Sequence, residues 1–274
     1  MTSDEDRLGR YVDAWKSTVD ETVVLLRSLE EADWSRPTDL AGWDVRAVAS
    51  HLAHIESELA GLDQDAVEVP ALEHVRSPMG RYTEKGPLAR RDWAPEMIVD
   101  ELERAAAIRL AELRAHPPSD RSADPPITPG GIGWNWETLL RNRPLDVWMH
   151  EQDIRRAVGR PGDLDTAGAA HTVRVFATSL PYTVGKRVAP PAGTTVVVDV
   201  HGTCPVHVAV QMGEDGRATP MTTDPETPTV RLAMDTETFV LLCGGRRSAA
   251  GLEVLVIGDE QLGRRLLAVM AVTP

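Results

Sequence analysis

Cysteine is almost missing from this chain. Of 274 residues only two are cysteine, Cys204 in HGTCPVHV and Cys243 in FVLLCGGRR. Neither belongs to a CxxC pair, which argues against a disulfide framework. Long apolar runs are missing too: no stretch of about 18 consecutive apolar residues occurs, so no membrane-spanning helix is expected. The first residues, MTSDEDRLGR, are acidic rather than signal-like, and a cytoplasmic location is expected. Positive charge is in deficit. With 29 Lys and Arg against 42 Asp and Glu the formal net charge is −13, which argues against a nucleic-acid-binding surface. Internal repeats and low-complexity tracts are absent. Gly130, Gly131 and Gly133 do not make a phosphate loop, because neither a GxxxxGK[ST] pattern nor a preceding strand accompanies them. What remains is the composition of a globular protein, 42% hydrophobic and 26% charged, long enough for two compact domains.

The N-terminal part reads as long helices. Ser3 with Asp6 fits a helix start, and Leu8, Val12, Trp15, Val19, Val23, Leu26 and Leu29 form an apolar stripe at helical spacing. SRPTDLAGW is a loop, after which Asp44 fits the N-cap of a helix to about Leu62, with Val45, Val48, Leu52, Ile55 and Leu59 inward. Residues 63–91 carry Pro70, Pro78, Gly80, Gly86 and Pro87 and are expected to wrap the surface. Pro95 suits the first turn of a helix to about His116. HPPSDRSADPPITPGGIG is a long loop. A further helix spans Trp136 to Val158, with Pro144 either kinking it or starting a new one, and stops at Gly159. Another is expected from Thr166 to about Tyr182. Four principal antiparallel helices form a bundle into which ligating side chains can project.

Near residue 190 the period changes. APPAG reads as a linker, followed by strands in TTVVVDVHG, VHVAVQM, PTVRLAMD and LEVLVIGD and helices in TETFVLLCGG and EQLGRRLLAVMAV. The expected architecture is α plus α+β: a helical bundle over residues 1–188, then a small α+β domain over 193–274 with a mostly antiparallel sheet and two helices on one face.

Three residues carry the chemistry. Asp146 and His150 lie one helical turn apart in RPLDVWMHEQDIRRAVGRPG, and His51 lies far upstream in GWDVRAVASHLAHIESE. Two imidazoles and a carboxylate on helices can hold a divalent metal with one position open. The spacing alone is also met by a helix-surface ion pair and core histidines. His54, at i+3 from His51, competes for the ligand role. Asp153 shares the face of His150 and can orient it from behind, or pair with Arg155 or Arg156. Candidate substrate contacts are Arg246, beside Arg247, and Arg81, with Trp134 and Trp136 as candidate covers of the pocket. Each of these residues also has an ordinary packing or helix-end role.

Two motifs carry a resemblance. GWDVRAVASHLAHIE looks like the W-x-V-x-x-x-x-x-H-L signature of DinB-like metal-binding bundles, and RPLDVWMHEQDIRRAVGRPG resembles the second signature of the mycothiol-dependent maleylpyruvate isomerase family. The likeness covers nearly the whole chain, since VRLAMDTETFVLLCGGRR and VIGDEQLGRRLLAVMAV resemble that family's C-terminal pattern. It implies a DinB-like four-helix bundle with a zinc site, followed by a domain similar to sterol-carrier proteins. It also implies His51, Asp146 and His150 as ligands, Asp146 standing where the isomerase itself has glutamate. The expected cofactors are Zn²⁺ and mycothiol, which implies an actinobacterial cytoplasm. The expected partners are a small thiol and a small electrophile, with the protein a monomer or homodimer. The implied activity is thiolate addition, ending in isomerisation or S-conjugation. Two other classes remain: a hydrolase using metal-activated water, with Glu56 or Glu58 as base, and a non-catalytic small-molecule-binding protein.

Overall fold

The computed structural model describes residues 3–273. The chain divides into two compact units, Met1–Gly162 and Asp163–Pro274.

Four long helices build the first unit: α1 (Asp4–Arg27), α2 (Val45–Leu59), α5 (Pro95–Ala115) and α6 (Trp136–Val158), with the short α3 (Pro78–Thr83) and α4 (Lys85–Arg90) between α2 and α5. Local chemistry sets their ends. Ser3 Oγ accepts from the Asp6 amide, Asp44 Oδ1 from Ala47 and Asn135 Oδ1 from Thr138. Gly159 closes α6 at φ 69°, a left-handed conformation that favours glycine. Pro144 lies inside a continuous α6, which forgoes one i→i−4 bond there. The apolar faces meet in one core that includes Leu8, Trp15, Val48, Leu52, Leu102 and Val147. Among the described residues, no helix is long and apolar enough to cross a membrane.

Residues 63–91 depart from the expected surface wrap. Within them α4 packs against α2, burying Gly86, Pro87 and Arg90. A Cβ on Gly86 would stand 2.7 Å from His54 Cβ and 2.9 Å from the Ser50 carbonyl oxygen. Only a residue without a side chain allows so close an approach. The Arg90 guanidinium forks onto Glu101 at 2.5 and 2.6 Å and fastens α4 to α5. This extra layer explains why every residue of α2 from Val48 to Ser57 is buried.

The second unit begins earlier than the hydrophobic pattern implied. The helix α7 (Ala167–Tyr182) packs on the sheet and on α8 (Thr236–Cys243), with Phe176 and Phe239 edge to face at 6.5 Å. The division therefore falls at Gly162/Asp163 rather than near residue 190. The sheet contains β1 (Thr195–His201), β2 (Val206–Met212), β3 (Ala218–Pro220), β4 (Val230–Asp235) and β5 (Leu255–Gly258) in the order β3-β2-β1-β4-β5. All neighbours are antiparallel except β1 and β4. The short β3 pairs antiparallel with β2 and adds a strand outside the four expected ones. Val196, Val198, Val230 and Leu232 are buried on one face, against which α9 (Glu260–Leu267) lies through Gly263.

Candidate metal centre

The helix α6 carries a stripe at spacings of three and four: Arg143, Asp146, His150, Asp153 and Arg156. This spacing places all five on one helical face. His51 from α2 meets the stripe at its middle. One ligand-competent atom from each of His51, Asp146 and His150 lies within 4.8 Å of the other two. His51 Nε2 stands 3.9 Å from Asp146 Oδ2, and His150 Nε2 stands 3.7 Å from Asp146 Oδ1. The imidazole centroids are 4.9 Å apart. Both histidines are buried, whereas the Asp146 side chain is 33% exposed, so the cluster is reached from the aspartate side.

The electrostatics suit a cation. Burial, with the neighbouring His150, pulls the His51 pKa to about 3, so its imidazole is neutral at neutral pH. Burial opposes ionisation of Asp146, but Arg143, His150 and His51 outweigh it and hold the carboxyl at about 2. Two imidazoles and one carboxylate fit a divalent first-row metal better than Ca²⁺ or Mg²⁺. His150 Nδ1 lies 3.3 Å from Asp153 Oδ2, and Arg156 Nη2 donates to Asp153 Oδ1 at 2.7 Å. That places a carboxylate behind one imidazole, where it can fix the ring's orientation. His51 Nδ1 is buried and meets no hydrogen-bond partner among the described residues.

Behind Asp146 lies a buried charge network. Arg143 donates from Nη1 to Asp146 Oδ2 at 2.8 Å, and from Nη2 and Nε to Glu56 Oε1 at 2.7 and 3.1 Å. Glu56, fully buried, also accepts from Trp15 Nε1 and from Arg109 Nη1, both at 2.8 Å. Burial pushes the Glu56 carboxyl up, but the two arginines overcome this and hold it below its usual value. Removing one partner of such a buried pair costs about 3–5 kcal/mol. The aromatic wall is Trp43, whose ring lies 5.0 Å from that of His51 and 6.0 Å from that of His150. Its Nε1 donates to Glu84 Oε1 at 2.6 Å, and His74 Nε2 meets the same oxygen at 2.7 Å.

The other candidate residues have different neighbours. His54 turns away from the cluster, its Nδ1 2.8 Å from Gln64 Oε1. Arg81 Nη2 donates to the Val69 carbonyl at 2.8 Å, and Arg246 Nη1 to that of Gly244 at 2.8 Å. Trp134 is half-buried in the loop before α6, while Trp136 packs against the core. Glu56 is the fully buried network hub, and the partly buried Glu58 accepts from Tyr82 Oη and the Gly130 amide. Sequence reasoning passed over Arg143 and the wall role of Trp43, and it considered Glu56 only as a candidate base, not as the hub of a buried network. Only Arg143 had a local signal, its position three residues before Asp146.

Residues 15–155, more than half of the chain, match the family model described as the mycothiol maleylpyruvate isomerase N-terminal domain. The chain belongs to the mycothiol maleylpyruvate isomerase family. Residues 170–265 match the C-terminal domain of this maleylpyruvate isomerase family. Among solved structures, a crystal structure of the mycothiol-dependent maleylpyruvate isomerase aligns with a TM-score of 0.54 at 18% identity, covering 93% of this chain and 95% of that one. A histidine-to-alanine mutant of that isomerase aligns with a TM-score of 0.53 at the same identity and coverage. At 18% identity, the likeness to these isomerase structures is one of fold. No curated protein matches the chain in sequence.

Proposed function

We propose that this protein is a mycothiol-dependent isomerase or S-transferase whose reaction uses a divalent metal, zinc, held by His51, Asp146 and His150. The observation that carries the reading is the convergence of these three ligand atoms within 4.8 Å in a member of this family. A free thiol has a pKa of roughly 8.5, and a bound metal lowers it so that thiolate is present near neutral pH. His51 and His150 offer Nε2, and Asp146 offers its carboxylate. Trp43 shields the imidazoles from water, leaving the Asp146 side open for a thiol and its electrophile. The protein's own thiols are poor substitutes, because burial raises the pKa of both Cys243 and Cys204.

The thiolate of mycothiol attacks an electrophilic carbon of a small unsaturated acid, forming a C–S bond as the alkene π pair moves toward the activating carbonyl. Rotation and expulsion of the thiolate restore the alkene in the other geometry, which is isomerisation. Protonation of the adduct instead gives an S-conjugate. Dependence on mycothiol implies work in the cytoplasm of a mycothiol-producing cell. Glu56 and Glu58 are committed to the hydrogen bonds described above, which leaves the hydrolase reading without a base from that pair.

Elemental analysis of purified protein tests the metal, with one equivalent of zinc expected in wild type and little in His51→Ala or His150→Ala. Mycothiol-dependent isomerisation of maleylpyruvate, or loss of mycothiol in the presence of epoxides or other electrophiles, tests the chemistry. Wild type without metal sinks the metal centre, and metal without any thiol-dependent turnover sinks the thiol chemistry.

A further inference from the structure

We propose that Arg143 is a positioning residue for the metal centre: it engages one oxygen of Asp146 and biases the carboxylate toward offering a metal the other. Glu56 holds Arg143 in the orientation that does this. The proposal rests on the metal-centre reading and adds to it a cause for the ligand geometry.

The argument begins with lone pairs. A carboxylate has about four acceptor positions over its two oxygens, so an aspartate facing a cation can bind through one oxygen or both. Arg143 Nη1 lies 2.8 Å from Asp146 Oδ2 and engages that oxygen with a charged donor. Oδ1, the oxygen nearer His150 Nε2, has no such donor among the described residues, so it is the freer ligand. An arginine three residues away on an exposed helix would be a loose partner of little effect. Here the Arg143 side chain is only 4% exposed, and its Nε and Nη2 both grip Glu56 Oε1. The guanidinium plane is thereby fixed, and its remaining edge points at Asp146.

Glu56 is itself fully occupied. Oε1 accepts from Trp15 and Arg143, and Oε2 accepts from Arg109. It offers no free face to a substrate, which identifies holding as its task. The cluster draws Trp15 from α1, Glu56 from α2, Arg109 from α5 and Arg143 from α6, one residue from each long helix. The same contacts that orient Arg143 therefore set the register of α6 against α2, and so of Asp146 against His51.

The test compares wild type with Arg143→Gln, Arg143→Lys and Glu56→Gln, all loaded with Zn²⁺ or Co²⁺. Zinc affinity is read by competition with a chromophoric chelator. Coordination is read from the visible absorption of the Co²⁺ protein, which responds to ligand number and geometry. Arg143→Gln is expected to weaken zinc binding by roughly 10–100-fold and to change the Co²⁺ spectrum. Arg143→Lys keeps a buried charge opposite Glu56, protecting the fold, but loses the two-sided grip, so it should show the same spectral change. Glu56→Gln should move both readouts in the same direction. Folding is monitored by circular dichroism. Folded variants with lower melting temperatures but wild-type affinity and spectrum would show a merely structural role and overturn the proposal. Wild type that takes up neither ion refutes the metal centre itself, a separate result.

Discussion

The contact between Gly86 and α2 leads to a prediction with an internal control. In Gly86→Ala the new Cβ would stand 2.7 Å from His54 Cβ, 2.9 Å from the Ser50 carbonyl oxygen and 3.1 Å from His51 Cα. Two of these are backbone atoms, which no rotamer change can move. The helix α4 cannot simply swing away, because Arg90 at its end is forked onto Glu101. Forcing a methyl into such a contact costs about 1–3 kcal/mol. Gly9→Ala on α1 supplies the reference, since its Cβ would meet nothing within 4 Å. That variant should gain about 0.5–1 kcal/mol from helix propensity alone. For a unit of this size each kcal/mol shifts the melting temperature by about 2–4 °C, so the packing cost in Gly86→Ala is a fall of roughly 2–12 °C. Scanning calorimetry of the two variants and wild type reads the difference. Because His51 Cα is one of the displaced atoms, zinc affinity should fall in Gly86→Ala and stay unchanged in Gly9→Ala. Equal melting temperatures for the two variants would refute the idea that the close approach of α4 is rigid.

Two further predictions concern the second unit. His207 has carboxylates on both ring nitrogens, Asp199 Oδ1 at 2.5 Å and Asp224 Oδ1 at 2.6 Å, and these hydrogen bonds raise its pKa, with Arg231 also paired to Asp199. A raised folded value stabilises the protein fully below the unfolded pKa of about 6.5 and fades as pH rises through the folded value. NMR titration should place His207 above a free histidine, with amide protection around Asp224 falling over the same interval; a value at or below that of free histidine would contradict this. Burial raises the pKa of the Cys243 thiol, and that of Cys204 is raised by burial and by Asp165. Neither should react readily with a disulfide reagent at pH 7–8 in the native state, and both should react in denaturant; rapid native labelling would show that one of them is an available thiolate.

Much of the helical framework could be read locally, because helix ends depend on short-range chemistry. Ser3, Asp44, Pro95 and Gly159 mark boundaries that the fold keeps within a few residues. The strands β1, β2 and β4 showed themselves by alternation. Three features had no such local origin. The segment 63–91 is rich in proline and glycine, yet its Gly86 is small because a helix lies against it, which is a tertiary fact. The helix α7 has the composition of a bundle helix, and only its packing on the sheet and on Phe239 of α8 assigns it to the second unit. Glu56 reads as a polar residue on an amphipathic helix, and its arginine partners lie 53 and 87 positions away. The candidate trio was legible because two of its three residues sit one turn apart within a motif, and Asp153 was legible beside them. The Arg143–Glu56 network behind Asp146 was not, since it draws on four helices.

His51 and Asp146 stand 95 positions apart on α2 and α6, and this separation bears on more than catalysis. An ion gripped by both acts as a removable cross-link, closing a long stretch of chain only when the helices are docked. At a hundred times its dissociation constant it would add about 2.7 kcal/mol to folding stability. The steady-state amount of this protein in a cell would then follow the supply of the ion, with ion-starved chains opening more often and meeting proteases first.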